Sequence, residues 1–164
     1  MSYVNVNGKI YRLSDTTEGK SIVTHCLEKT DIQFKRHYSC YYRRIDNTDI
    51  NEWYDLKFVV EYNDLFLPEQ QLWEACFDNP RKEPLETNEI VLSAFGAVRN
   101  AGWYTNGRDV SLKIVTVDEC VRVYLKYTYY KKSGKELEYP VCETREVSRE
   151  EFINAIKLHR EDYL

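Results

Sequence analysis

The chain has 164 residues, a formal net charge of −4, 43% hydrophobic and 30% charged residues, a size and balance that suit one compact domain over residues 1–164. Few prolines and glycines argue against a linker-rich chain, and no apolar run approaches the ~20 residues of a membrane helix. The polar first nine residues lack a signal-peptide core, so a cytoplasmic location is expected, and the acidic balance opposes a dedicated nucleic-acid binder.

Asn7 and Gly8 mark a turn before a short strand over 9–13. Ser14 or Asp15 then caps an expected helix to residue 29, with Ile22, Val23, Cys26 and Leu27 as its stripe. Residues 32–44 read as one long strand. Ile32, Phe34, Tyr38, Cys40 and Tyr42 share a face, and Gln33, Lys35, His37, Ser39, Tyr41 and Arg43 form a polar, basic one. A loop over 46–49 leads to a second strand over 53–62, and the two strands suit a long hairpin. Pro68 opens an expected helix to 77, with Leu72, Trp73, Cys76 and Phe77 inward. Thr87 caps another to about 101, with Ile90, Val91, Ala94, Phe95 and Val98 inward.

The last third predicts strands over 110–117, 120–131 and 136–147, with Pro140 marking an edge or bulge. Ser148 and Glu151 have the spacing of a capping box, which opens a final helix. The expected fold is therefore α+β: an antiparallel or mixed sheet of about five to six strands, in two hairpin units, with helices packed on it.

Catalytic motifs are missing from the sequence: it has no phosphate-binding glycine loop, HExxH, EF-hand loop or GxSxG. The five cysteines (Cys26, Cys40, Cys76, Cys120 and Cys142) are odd in number and form no close pair, which predicts reduced thiols rather than a disulfide framework. His37 and Cys40 would project to opposite faces of a strand and chelate one ion poorly. No set among Cys26, Cys40 or Cys142 with His25, His37 or His159 stands out as nucleophile and base. Asp55 and Lys57 lie on one strand face near Asp46 and Asp49, a pairing that chance supplies in so charged a chain. No cofactor, metal or catalytic residue is expected, and an interaction role is favoured over chemistry.

Two segments carry binding potential. Residues 46–89 hold twelve acids and three bases. There Asp46, Asp49, Glu52, Trp53, Asp55, Glu61, Asp64 and Trp73 combine acidity with aromatic anchors, a pattern that suits a basic protein partner. The leading expectation is a small acidic protein-binding module, in concrete form an immunity or antitoxin-like inhibitor occluding a basic partner such as a nuclease toxin. The alternative is a single-stranded nucleic-acid binder using Lys35, Arg36, Tyr38, Tyr41 and Arg43, whose charges suit phosphates and whose rings suit bases. A third is an enzyme or small-ligand domain whose site forms no motif.

Overall fold

The computed structural model describes residues 2–16, 19–46, 50–99, 102–106, 109–133 and 136–161. These residues form β1 (Ser2–Val6), β2 (Lys9–Thr16), β3 (Gly19–Thr24), β4 (Lys35–His37), β5 (Cys40–Arg44), β6 (Glu52–Glu61) and β7 (Leu72–Cys76). They continue with β8 (Glu89–Phe95), β9 (Trp103–Asn106), β10 (Val110–Thr116), β11 (Arg122–Ser133), β12 (Glu136–Leu137), β13 (Val141–Glu146) and helix α1 (Arg149–Glu161). The α+β expectation is corrected: the described residues are mostly antiparallel strand, with one α-helix at their C-terminal end.

Three expected helices are strands, for local reasons. The first is a β2–β3 hairpin in which Leu13 faces Ile22 and Arg12 faces Val23. The β-branched run Ile22, Val23, Thr24 suits a strand. Strand β3 lies between β2 and β5, and consecutive Ser21 and Ile22 are buried, so its pattern does not alternate. The second is β7, where Trp73 and Ala75 are buried while Leu72 and Glu74 are exposed. That is period two, hidden because small Ala75 did not stand out as a core residue. The third is β8, central between β7 and β10, with Ile90, Val91 and Leu92 all buried. A short, wholly apolar run reads equally as helix or strand.

The long strand over 32–44 is also corrected. It is a tight hairpin of β4 and β5, turned at Tyr38 with φ of 51°, a left-handed conformation uncommon outside glycine. Folding the segment back places Lys35 opposite Tyr42 and Arg36 opposite Tyr41, residues a single strand would have put on opposite faces. Strand β1, which the pattern did not announce, pairs with β2 across Asn7 (φ 53°) and Gly8 (φ 80°). Positive φ at both turn residues matches the twist of a two-residue hairpin, and Asn-Gly tolerates it.

The chain divides into two units. Unit 1 comprises residues 1–56, 127–143 and 157–164. Its strands run β4-β5-β3-β2-β1 and then the first half of β6. Val4, Tyr11, Leu13, Ile22 and Ile50 form its core, flanked by Phe34, Ile45 and Trp53. Unit 2 comprises residues 57–126 and 144–156. It holds the second half of β6, then β7, β8, β10 and β9 in that order. Phe58 is buried there edge-on to both Phe77 and Phe152, the latter from α1.

Candidate aromatic recognition site

Strand alternation in unit 1 sorts its rings onto two faces. On one face Tyr3 stacks on Tyr54 at 5.6 Å, and Tyr127 and Tyr129 of β11 stack at 5.7 Å beside it. On the other, Trp53 lies flat on Tyr130 at 5.3 Å, against the core. The Tyr130 hydroxyl donates to Asp55 at 3.1 Å, and the Ser2 hydroxyl donates to the same carboxylate. Burial, then the neighbouring Tyr127 and Tyr129 phenols, pushes the Tyr54 hydroxyl up to about 12. It therefore stays a neutral donor at ordinary pH.

A groove of about 400 Å³ takes its lining from members of both sets. Trp53, Tyr54, Tyr129, Tyr130 and Tyr139 line it together with Glu52, Glu138 and Lys131. Tyr139 is 98% exposed and Val141 65%, so one wall stands in solvent. Glu143 accepts a long hydrogen bond from Tyr129 at 3.4 Å, and Glu52 sits 3.9 Å from Lys131. Lys20 and Lys132 lie over the Trp53 ring at 5.0 and 5.5 Å.

The acidic segment does not stay together. Asp46, Glu52, Trp53 and Asp55 belong to unit 1, while Glu61, Asp64 and Trp73 belong to unit 2; Asp49 lies outside the described residues. Two of the expected partner-binding residues are buried. Trp73 is 1% exposed, and its indole N–H donates to the Tyr62 carbonyl at 3.0 Å. Asp64 is 4% exposed and takes Lys113 at 2.7 Å. Burial alone would raise the Asp64 pKa, but hydrogen bonds from Lys113 and the Phe66 N–H outweigh it and hold the pKa low. Both residues are structural parts of unit 2. Glu61 faces Arg122 at 3.8 Å.

In the basic segment, Lys35 and Arg36 are exposed on β4, Tyr38 is exposed at the turn, and Tyr41 is half-buried. Arg43 is engaged, donating to Asp31 at 3.1 Å and to Gln33 at 3.0 Å while lying over Phe34. The five therefore do not form one open cationic surface. His25 Nδ1 bonds the Ser39 carbonyl, and Cys40 Sγ donates to the His37 carbonyl. Burial raises the Cys76 thiol and pushes Cys120 up to about 12, which keeps both protonated and unreactive. No group of three His, Cys, Asp or Glu side chains is placed to hold a metal ion among the described residues.

Sequence reasoning missed Tyr129, Tyr130, Glu138 and Tyr139. The signal was the tyrosine density of 124–130, and Tyr129 is 41% exposed. No family model matches the chain, and neither curated proteins nor solved structures give a match. The words immunity protein and antitoxin therefore have nothing beneath them beyond the acidity of the chain. No helix among the described residues is long and apolar enough to cross a membrane.

Proposed function

We propose that this chain is a protein-binding module that receives a basic segment of its partner in the aromatic groove of unit 1. The convergence of Trp53, Tyr54, Tyr129, Tyr130 and Tyr139 on one groove carrying Glu52 and Glu138 carries this reading. Aromatic anchors dominate interface energetics. The exposed Leu137, Tyr139 and Val141 add apolar surface of the kind found at interaction sites. Rim carboxylates select a cationic partner and speed its approach.

Affinity capture from the native cells tests it, with the full chain and a Tyr139→Ser, Glu138→Lys double variant as parallel baits. Tyr139 is almost wholly exposed, so the variant keeps its fold, which circular dichroism checks. The wild-type bait recovers a partner with a basic segment, and the variant recovers at least about tenfold less, the scale of one hot spot. Equal recovery by both baits, or a partner without such a segment, rejects the proposal.

A further inference from the structure

Strand β13 is an open edge. Among the described residues it pairs only with β11, and all of its residues are exposed. Such an edge offers a row of backbone donors and acceptors to another strand. The ladder to β11 fixes which groups these are. The Val147 N–H donates to the Val123 carbonyl at 3.1 Å, so Val147 opposes Val123 in a hydrogen-bonded pair. By alternation Val141, Glu143 and Arg145 also turn their backbone groups towards β11. Cys142 agrees with this phase. Its Sγ lies 3.8 Å from the Thr128 Oγ1, the side-chain approach of a non-hydrogen-bonded pair. The N–H and C=O groups of Cys142, Thr144 and Glu146 therefore point away from β11.

The sequence of this edge, Val-Cys-Glu-Thr-Arg-Glu, complements itself in one register. A two-fold axis at Thr144 pairs Thr144 with its own copy and Cys142 with Glu146 of the second copy, all through the outward backbone groups. The same axis sets Glu143 opposite Arg145 of the second copy, and Arg145 opposite Glu143. These are non-hydrogen-bonded positions, where opposite residues come closest, roughly 4.5 Å between Cα atoms. Unlike charges directly opposite are favourable there. The competing registers fail. An axis at Cys142 brings Pro140 opposite Thr144, and proline has no N–H to give. An axis at Glu146 sets glutamate against glutamate and runs past the end of the strand. Parallel pairing in register sets Glu143 on Glu143 and Arg145 on Arg145. Within the chain, the Glu143 carboxylate accepts from the Tyr129 hydroxyl at 3.4 Å, and Arg145 donates to Glu151 at 2.8 Å. A carboxylate accepts several bonds and a guanidinium has five N–H donors, so both groups have capacity for the cross-strand pair.

We propose that the chain pairs with a second copy of itself through β13, the two edges joining antiparallel about Thr144. The contact is isologous, so one strand supplies both halves of each ion pair and the assembly closes as a dimer. Backbone bonds hold the strands together, and the alternation of Glu143 and Arg145 sets direction and register.

Sedimentation velocity of the full chain tests it, over a concentration series at low salt, where exposed ion pairs are least screened. A monomer–dimer equilibrium is expected, with a dissociation constant on the order of 10–100 μM for a contact of one strand. Glu143→Arg and Arg145→Glu each place like charges across the axis and weaken the dimer at least about tenfold. Mixed in equal amounts, the two variants complement each other, because the arginines of one chain face the glutamates of the other. The mixture should return to within about threefold of the wild type. Thr144→Pro removes the central outward donor and leaves the ladder to β11, made by the alternate residues, in place. It too weakens the dimer at least about tenfold. Circular dichroism of each variant checks its fold. A chain monomeric at every concentration, a dimer that both charge variants leave intact, a mixture no more associated than its parts, or indifference to a folded Thr144→Pro each overturns the assignment.

Discussion

The Tyr3 hydroxyl and His159 Nδ1 lie 2.6 Å apart in unit 1, buried from solvent. Burial first, and then the positive charges of Arg12 and Arg160, push the imidazole down to about 4. The unfolded chain binds its proton near the ordinary value of ~6.5. The stability gained from a neutral His159 is therefore complete above about pH 6.5 and is lost as pH falls towards the folded value. Urea unfolding at pH 7 and pH 4.5 measures it, comparing the wild-type chain with His159→Phe. The wild type should lose more stability on acidification than the variant, by about 2 kcal/mol. Asp64, whose lowered pKa makes its contribution fade only as pH falls through the carboxylate range, is common to both chains and cancels. Equal losses in the two chains would remove the argument. At this scale the sequence shows residue type and hides direction. Trp53 and Trp73 look alike as acidic-flanked indoles, yet Trp73 is buried and Trp53 lines a groove, because only the sheet decides which side of a strand meets another layer.

Elements with a local signal were legible in the sequence. Asn7 and Gly8 turn the chain as their positive φ tolerance suggests, β10 and β11 lie close to the alternating runs that predict them, and α1 starts at its cap. There the Glu151 N–H donates to the Ser148 hydroxyl at 3.1 Å, while the Glu151 carboxylate takes Arg145 rather than closing the box. Ser148→Ala should therefore cost about 1 kcal/mol. That is roughly a 3 °C fall in the melting midpoint for a chain of this length, read by scanning calorimetry. No fall would mean that Phe152, fully buried against Phe58 in unit 2, holds the first turn without its cap. Among the strands that escaped recognition, β3 and β8 have strand neighbours on both sides and consecutive buried residues, and tertiary burial on both faces erases the period from which strands are recognised.

On the scale of the whole molecule, neighbourhood in sequence stops predicting neighbourhood in space. The acidic stretch over 46–89 is cut between two units at residue 56, and each unit is completed by segments from the last third of the chain. That is why the charge block visible in the sequence is shared between two units, and why Tyr130 of β11 meets Trp53 although more than seventy residues separate them. The same topology constrains folding. Within unit 1, β1 must find β6 to pair Tyr3 with Tyr54, and the Lys132 N–H must reach the Asn51 carbonyl. Each such closure costs chain entropy before any burial offsets it. With little helix to supply local contacts, refolding should take milliseconds to seconds rather than microseconds. Stopped-flow dilution from urea, followed by tryptophan fluorescence, measures this directly. Trp53 and Trp73 report on unit 1 and unit 2 respectively, and Trp73→Phe leaves the unit 2 signal to Trp103, which lies 5.8 Å from it. Refolding completed within the instrument's dead time would show that short hairpins such as β1–β2 and β2–β3 carry the barrier, and that the distant pairings follow at no kinetic cost.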